Sequence, residues 1–338
     1  EWFGNTANGP TDENLQKKNV LNVLQHAQID LWGLCEVSNA AAWDSLKANM
    51  PAYGGIISTW SQTQKTAFLY YKSTCNLLKS GNILAAYAKE FANGRTPLQA
   101  TFVYTNNTQK DTFTAILLHL KANVGVDTAK LNAYNNRLAS VGRLKSYLDT
   151  FGKNKKIIVL GDWNDDLDTS IYNQLQTPMQ QILADTQHYF FPSFLLTRNN
   201  ERSTVSYSSV IDHQCLNKSM QTVWLKDSCK IFKPDKWIVN YGSTTSDHYV
   251  VYSVYNFSKN TMNALHVQTE PFNVWFNGVA WQTNFENNET EFVVMDLNGR
   301  EIWRGKYLHT FVYTIDYPLL FTRVFRGKVA WKFVQYVH

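Results

Sequence analysis

The sequence predicts an α/β architecture, two β-sheets packed together with helices outside, followed by a small all-β module. Three observations carry this. The 338 residues correspond to about two domains at roughly 150 residues each. Strand-like and helix-like segments mix over residues 1–257 without strict βαβ repetition. Beyond residue 273 no convincing helical period remains, only alternating, aromatic-rich segments.

In order along the chain, Thr11-Asp12-Glu13 supplies an N-cap and first-turn acids ahead of Leu15, Val20, Leu24 and Ala27, which fixes a first helix. Ile29–Val37 is an apolar run of strand length, Ala40–Asn49 reads as helix, and Ala67–Tyr71, Leu98–Tyr104 and Thr112–Leu120 read as strands. Asp127 is placed to cap a long helix with Leu131, Tyr134, Leu138, Val141 and Leu148 at helical spacing. Ile157–Leu160 is a buried strand, and Ser209–Leu216, Gln221–Trp224 and His248–Tyr255 continue the β-structure. A polar stretch over 258–272 marks a linker. In the terminal module over 273–338, Phe292–Met295, Glu301–Trp303, Phe321–Phe325 and Val329–Val334 are strands, punctuated by Asn277-Gly278 and Asn298-Gly299.

Composition excludes several classes. Hydrophobic residues are 44% and charged residues 17%, against about 25% charged in ordinary domains, so the chain buries a core rather than staying disordered. No apolar run approaches the ~18 residues of a membrane-spanning helix. The net charge of +5 tolerates a polyanionic partner, but no basic block is present, so any nucleic-acid contact must be built by folding. The four cysteines (Cys35, Cys75, Cys215, Cys229) form no C-x-x-C pair, which removes a zinc ribbon. Cys215 and Cys229 are candidates for a bridge between neighbouring strands, and Cys35 for a buried thiol. The chain opens at Glu1 with no initiator Met or leader, the mark of a processed or trimmed form.

The polar residues that interrupt buried strands carry the chemistry. A strand over Lys156–Leu160 runs into Gly161-Asp162-Trp163-Asn164, delivering Asp162 and Asn164 to one rim, where a carboxylate and an amide orient a water and hold an oxyanion. Asp162, Asn164, Asp166 and Asp168 also alternate as in a calcium loop, but Leu167 replaces the turn glycine and Asn173 the bidentate Glu. Asp212-His213 and Asp247-His248 each sit at a strand terminus, where an Asp fixes the tautomer of a neighbouring His. His119 ends the run Ala115–Leu118, as catalytic group or hydrogen-bonded core histidine. Glu36 is the more telling anomaly, because an ionised carboxylate in a buried strand needs a metal or a cation.

In this order, a strand Glu, a strand-end His, Gly-Asp-x-Asn and a terminal Ser-Asp-His resemble the endonuclease/exonuclease/phosphatase superfamily, which includes deoxyribonuclease I and exonuclease III. The opening Glu1-Trp2-Phe3-Gly4-Asn5-Thr6 is similar to secreted bacterial nucleases of that group. The resemblance implies a deoxyribonuclease I-like two-sheet sandwich over 1–257 that hydrolyses phosphate esters with Mg²⁺, or with Mn²⁺ or Ca²⁺ instead. It implies Glu36 and Asp247 as metal-side acids, and Asp162 and Asn164 as the pair that orients the nucleophile and contacts the phosphate. It further implies His248 as general base or phosphate ligand oriented by Asp212, His119 as general acid, and Arg95 as a phosphate-contacting arginine. Three positions depart from the pattern. Cys35 replaces the Gln that often precedes the metal Glu, Lys65 replaces an acid that supports the second histidine, and an Asn expected just before Glu1 falls outside the chain.

Phe292 to Arg300, Tyr317-Pro318 and Lys332-Phe333-Val334 resemble the immunoglobulin-like C-terminal sorting domain of type IX secretion cargo. That resemblance implies a secreted or cell-surface bacterial protein with the export machinery as partner; an unrelated β-sandwich with Trp275, Trp281, Trp303 and Trp331 as core is the alternative. The resulting expectation is a secreted, metal-dependent nuclease acting on DNA, and on RNA as a further substrate. The alternatives are a phosphodiesterase or phosphatase on phospholipid or inositol phosphate, with Gln187–Ser206 as substrate wall and Phe190-Phe191-Pro192 meeting a membrane, and a noncatalytic surface-binding protein.

Overall fold

The computed structural model describes residues 3–106, 109–257, 274–276, 281–283, 290–295, 301–307, 319–325 and 328–334. The chain forms two compact units, Glu1–Lys259 and Asn260–His338. The first is built on two antiparallel or mixed sheets. One has the order β1-β3-β2, from β1 (Leu31–Val37), β2 (Tyr53–Ile57) and β3 (Lys65–Tyr71). The other has the order β4-β5-β6-β7-β9-β8, from β4 (Cys75–Asn82), β5 (Leu98–Asn106), β6 (Gln109–His119), β7 (Lys156–Asp162), β8 (Tyr189–Phe190) and β9 (Asp212–Asn217). A short ribbon pairs β10 (Lys230–Phe232) with β11 (Val250–Tyr252). The helices are α1 (Glu13–Ala27), α2 (Ala40–Ala48), α3 (Asp127–Phe151) and the short α4 (Gln180–Leu183), α5 (Phe194–Arg198), α6 (Lys218–Gln221) and α7 (Tyr241–Thr244). No helix among the described residues is long and apolar enough to cross a membrane.

Side-chain parity explains the layering. Successive residues of a strand face opposite ways, so in β6 Phe113, Ala115 and Leu117 join Phe68, Phe102 and Ile158 between the sheets. Ile116 and Leu118 face the other way, against Val141, Leu144 and Leu148 of α3. The three-stranded sheet repeats the scheme, with Trp32, Ala67 and Leu69 packing against Leu24 of α1 and Trp43 and Leu46 of α2. The unit is a helix–sheet–sheet–helix sandwich, and the continuous apolar runs at Thr114–Leu118 and Ile157–Val159 are what strands covered on both faces require.

The expected elements appear with instructive exceptions. Asp12 caps α1, accepting from the N–H groups of Asn14 and Leu15 at 3.1 and 2.9 Å. Asp127 does not cap α3: it is the first helical residue, and Val126 takes the cap position without a side-chain bond. Leu131 and Leu138 are exposed, while Arg137 and Ser140 are buried on the inward face. The expected stripe was displaced because Arg137 lies against Asp165 with Nε 3.0 Å from Oδ2, both side chains 0% exposed. Gln221–Trp224 is not a strand: α6 ends at Gln221, and Trp224 forms only a single bridge to Tyr255. Its Asn217 side chain accepts from the Met220 N–H, a helix N-cap signal that a count of apolar residues overlooks. β2 and β4 carried no strand pattern. Gly54 is needed in β2 because a Cβ there would meet the Tyr70 ring at 2.3 Å, and β4 is a half-exposed edge with a bulge opposite β5.

The second unit contains the hairpin β12 (Val274–Phe276) and β13 (Trp281–Thr283). It also contains a four-stranded antiparallel sheet, order β15-β14-β16-β17, from β14 (Thr290–Met295), β15 (Glu301–Gly305), β16 (Leu319–Phe325) and β17 (Lys328–Val334). Phe292, Val293 and Val294 are buried, and this small β region is consistent with an immunoglobulin-like sandwich. Residues 258–272, both Asn-Gly turns, Tyr317-Pro318 and the side chains of Trp275, Trp281 and Trp331 lie outside the described residues; Trp303 is half-buried.

Two stability predictions follow from the buried polar groups. Arg137→Met leaves the Asp165 carboxylate buried without its cation, and should cost roughly 3–5 kcal/mol in urea unfolding. His213 is 1% exposed, with Nδ1 3.1 Å from Ser193 Oγ and Nε2 3.0 Å from the Asp165 carbonyl. Burial pushes its pKa down to about 4, so the folded state favours the neutral ring. That contribution is present in full above the unfolded value near 6.5 and is lost as pH falls through about 4. Stability should therefore drop by a few kcal/mol over that window, with a shallower slope in His213→Asn.

Candidate active site

Strand pairing assembles the first three site residues. β6 and β7 are parallel neighbours with His119 in register with Asp162, and β7 and β9 are antiparallel neighbours with Asp162 in register with Asp212. One row across the strand ends thus carries an imidazole and two carboxylates. His248 joins from the approach to β11, where it faces Thr204 in an antiparallel bridge and sets Nδ1 2.8 Å from Asp212 Oδ2. Glu36 comes from the opposite sheet. β1 bulges between Leu34 and Val37, and Glu36 there has φ +61°, which re-aims its side chain to the rim. The carboxylate is therefore half-buried rather than enclosed, with Oε1 3.8 Å from His119 Nε2, and His119 Nε2 in turn 3.4 Å from Asp162 Oδ2. Glu36, His119, Asp162, Asp212 and His248 form one continuous chain of neighbours.

The turn after β7 is held by local chemistry. Gly161 has φ +130°, and a Cβ there would lie 2.0 Å from the Leu118 carbonyl oxygen, so only glycine lets the chain pass. Asn164 takes φ +53°; its backbone N–H donates to Asp162 Oδ1 at 2.8 Å, and its amide donates to Asp162 Oδ2 at 2.6 Å and to the Leu120 carbonyl at 3.1 Å. Arg95 reaches the same carbonyl with Nη2 at 3.0 Å, while Nη1 lies 2.6 Å from His119 Nε2 and 3.3 Å from Gln64 Oε1. The Gln64 amide donates to Glu36 Oε1 at 2.8 Å.

The charges are unevenly distributed. Burial opposes an imidazolium at His248, but the Asp212 carboxylate, joined by the charges of Asp162 and Asp247, raises the ring to about 10. Burial lifts Asp162 to about 7, with the charge of His248 pulling the other way. Burial, then the Arg95 cation, holds His119 well below its ordinary value. The two histidines are pushed in opposite directions, which matches groups set apart for different tasks.

All of Glu36, Arg95, His119, Asp162, Asn164 and Asp212 with His248 converge on this rim. Asp247 adjoins His248, and its carbonyl accepts from the Val205 N–H at 2.7 Å. Sequence reasoning missed Gln64, Ser203, whose Oγ accepts from the Asp212 N–H at 3.1 Å, and the Leu120 carbonyl. Lys65, flagged as a departure, turns away to donate to the Ser58 carbonyl at 3.2 Å, and the neighbouring Gln64 braces Glu36. The calcium-loop alternative is not formed, since Asp166 accepts from Thr197 Oγ1 at 2.6 Å and the Val210 N–H at 2.9 Å and Asp168 points to solvent. Cys215 and Cys229 are both buried free thiols, as is Cys75, and Cys35 is a half-buried one. Phe191 and Pro192 are buried, so the membrane-facing role considered for them does not arise.

Among the described residues no set of three or more His, Cys, Asp or Glu side chains forms a ready-made metal cage. Carboxylate oxygens are the donors that a hard divalent ion takes, its shell completed by water and substrate oxygens. Glu36, an oxygen donor braced by an amide and partly open to solvent, meets this requirement.

The two-sheet sandwich and the acid–imidazole row at its rim define a phosphoesterase of the deoxyribonuclease I-like class. The family model described as "Endonuclease/Exonuclease/phosphatase family" matches residues 3–248, and the chain belongs to that family, whose members are nuclease- and phosphatase-type phosphoesterases. No curated protein matches. Similar solved structures include the human Nocturnin catalytic domain with bound sulfate (16% identity, 72% of this chain and 88% of that one, TM-score 0.50). TDP2 from D. rerio complexed with a single-strand DNA product is another (15%, 72% and 92%, TM-score 0.53), as is an endonuclease/exonuclease/phosphatase from Bacteroides vulgatus (16%, 73% and 92%, TM-score 0.51). At these identities the likeness is one of fold.

Asp212 gives the largest upward push on His248, by charge and by hydrogen bond, so Asp212→Asn should lower its titration midpoint. An NMR titration of the histidine Cε1–H resonances reads this directly; a His248 midpoint unchanged in the variant contradicts the assignment.

Proposed function

We propose that the rim hydrolyses phosphodiester bonds with a divalent ion, that its substrate is DNA cut with little sequence preference, and that the protein acts outside the cell. The observation that carries the reading is the His248–Asp212 pair, Nδ1 2.8 Å from Oδ2, in one row with the buried Asp162. Phosphate esters repel anionic nucleophiles, so a catalyst must neutralise charge, align water and manage two protons.

Glu36 and Asp247 would hold Mg²⁺, with Mn²⁺ or Ca²⁺ as alternatives, and the bound ion would supply charge neutralisation at the phosphate. His248, an imidazolium at neutral pH, donates a hydrogen bond to a phosphate oxygen, and Arg95 adds a second cation. Asp162 accepts a proton from the attacking water. Both amide hydrogens of Asn164 are engaged, which makes it the orienting partner of Asp162 before it is a phosphate ligand. His119, 2% exposed, stands in the row with Nε2 2.6 Å from Arg95 Nη1 and 3.4 Å from Asp162 Oδ2.

The net positive charge supports a polyanionic substrate, and the fold is shared with a TDP2 solved with single-strand DNA. Export through a type IX-like machinery rests on the resemblance of the terminal β module to sorting domains. Activity requires Asp162 deprotonated and His248 protonated. The rate should therefore rise with pH to a limb at or somewhat below 7, since a bound cation favours the carboxylate, and fall as pH approaches about 10. Plasmid DNA, RNA and phospholipid, each with Mg²⁺ or EDTA, test the substrate: metal-dependent nicking of plasmid is expected. His248→Ala and Asp162→Asn should each lose at least roughly 100-fold in turnover, and full activity in either variant refutes the assignment.

A further inference from the structure

Between α5 and β9 the chain makes an excursion over residues 203–212 whose base is fastened to the site. Ser203 Oγ accepts from the N–H groups of Ile211 and Asp212 at 2.9 and 3.1 Å. The Val205 N–H donates to the Asp247 carbonyl at 2.7 Å, and the Tyr249 N–H to the Ser203 carbonyl at 2.8 Å. Between these two bonds Thr204 stands directly opposite His248. Thr204 Oγ1 then accepts from the Tyr207 N–H at 3.0 Å and donates to the Tyr207 carbonyl at 3.1 Å. The backbone of Tyr207 is thus hung on the residue that faces His248.

Facing residues of antiparallel chains lie about 5 Å apart, and two hydrogen bonds of ordinary length attach Tyr207 to Thr204, so its backbone is held no farther than roughly 10 Å from that of His248. Tyr207 is 70% exposed, more than any other aromatic side chain among the described residues, although its backbone is tied on both sides. A rigid mount that presents an aromatic ring to solvent is the arrangement base stacking uses.

Charge decides which flank of the excursion a nucleic acid follows. Ser208 and Ser209 line a polar cleft of about 490 Å³ together with Asp166, Asp168 and Glu201, carboxylates that repel a phosphate chain. The other flank carries His248 and leads to the rim that holds the Arg95 guanidinium.

We propose that Tyr207 is a specificity-determining residue of this site: its ring stacks on the nucleobase next to the phosphate held by His248. The proposal rests on the phosphodiesterase reading above and adds what the enzyme grips beyond the phosphate. Stacking of one base corresponds to roughly a 5- to 100-fold gain in affinity.

The test uses the full chain and fluorescence anisotropy in EDTA, with a short labelled oligothymidylate and an abasic strand of equal length. The unsubstituted protein should prefer the base-bearing strand by that factor, Tyr207→Trp should keep the preference, and Tyr207→Ala should bind both strands alike. Preference retained in Tyr207→Ala, or none in the unsubstituted protein, overturns the assignment. Plasmid nicking with Mg²⁺, run in parallel, separates the two claims. Nicking without base preference removes Tyr207 alone, whereas no cleavage of any phosphodiester removes the reading of the site and the stacking role with it.

Discussion

The parallel pairing of β6 with β7 constrains everything at the rim. Parallel neighbours end at the same edge of a sheet, so a polar residue that terminates each strand is brought side by side without any long loop. His119 and Asp162 meet in this way, and the antiparallel return of β9 adds Asp212 to the row. The Leu120 carbonyl, one step past the end of β6, ties the elements together, accepting from both Asn164 and Arg95. A shift of one residue in this register would turn the row to the helical face.

Holding several carboxylates in a dry region is costly unless each has a partner, and the rim solves this by division. Asp162 is raised by burial and shares the field of His248; Asp212 is paired with that same ring; Glu36 is braced by Gln64 and left partly open. Behind the rim, Arg137 links Asp165 to the Lys121 carbonyl at 2.8 Å, joining the segment after β6 to the turn after β7. Asp165 also accepts from Ser170 Oγ and the Ile171 N–H. The turn that presents Asp162 and Asn164 is thus supported from below by charges with no contact to the reacting groups, the arrangement that keeps functional side chains from drifting.

Much of this was legible because buried strands announce themselves. The runs ending in His119 and Asp162 are continuous apolar segments closed by a polar residue, a pattern that surface strands do not produce. Glu36 and the Asp-His pairs stood out for the same reason. Gln64 did not, because an amide in a polar loop is unremarkable until its neighbours are known. The helical stripe of α3 misled for a related cause: Arg137 is buried by a partner 28 positions away, and periodicity counts only apolar residues. Tyr207 lies in a segment of Ser, Thr and Val whose role depends on the bond between Thr204 and the tip.

By itself the sequence determined which segments are strands with two buried faces and which acids and imidazoles stand at their ends, since both are local consequences of burial and residue type. Tertiary structure alone decided the proton inventory. Whether a histidine is neutral or charged depends on the carboxylate or guanidinium that distant strands place beside it, and such distances of a few ångströms are set by sheet register and a bulge, not by spacing along the chain.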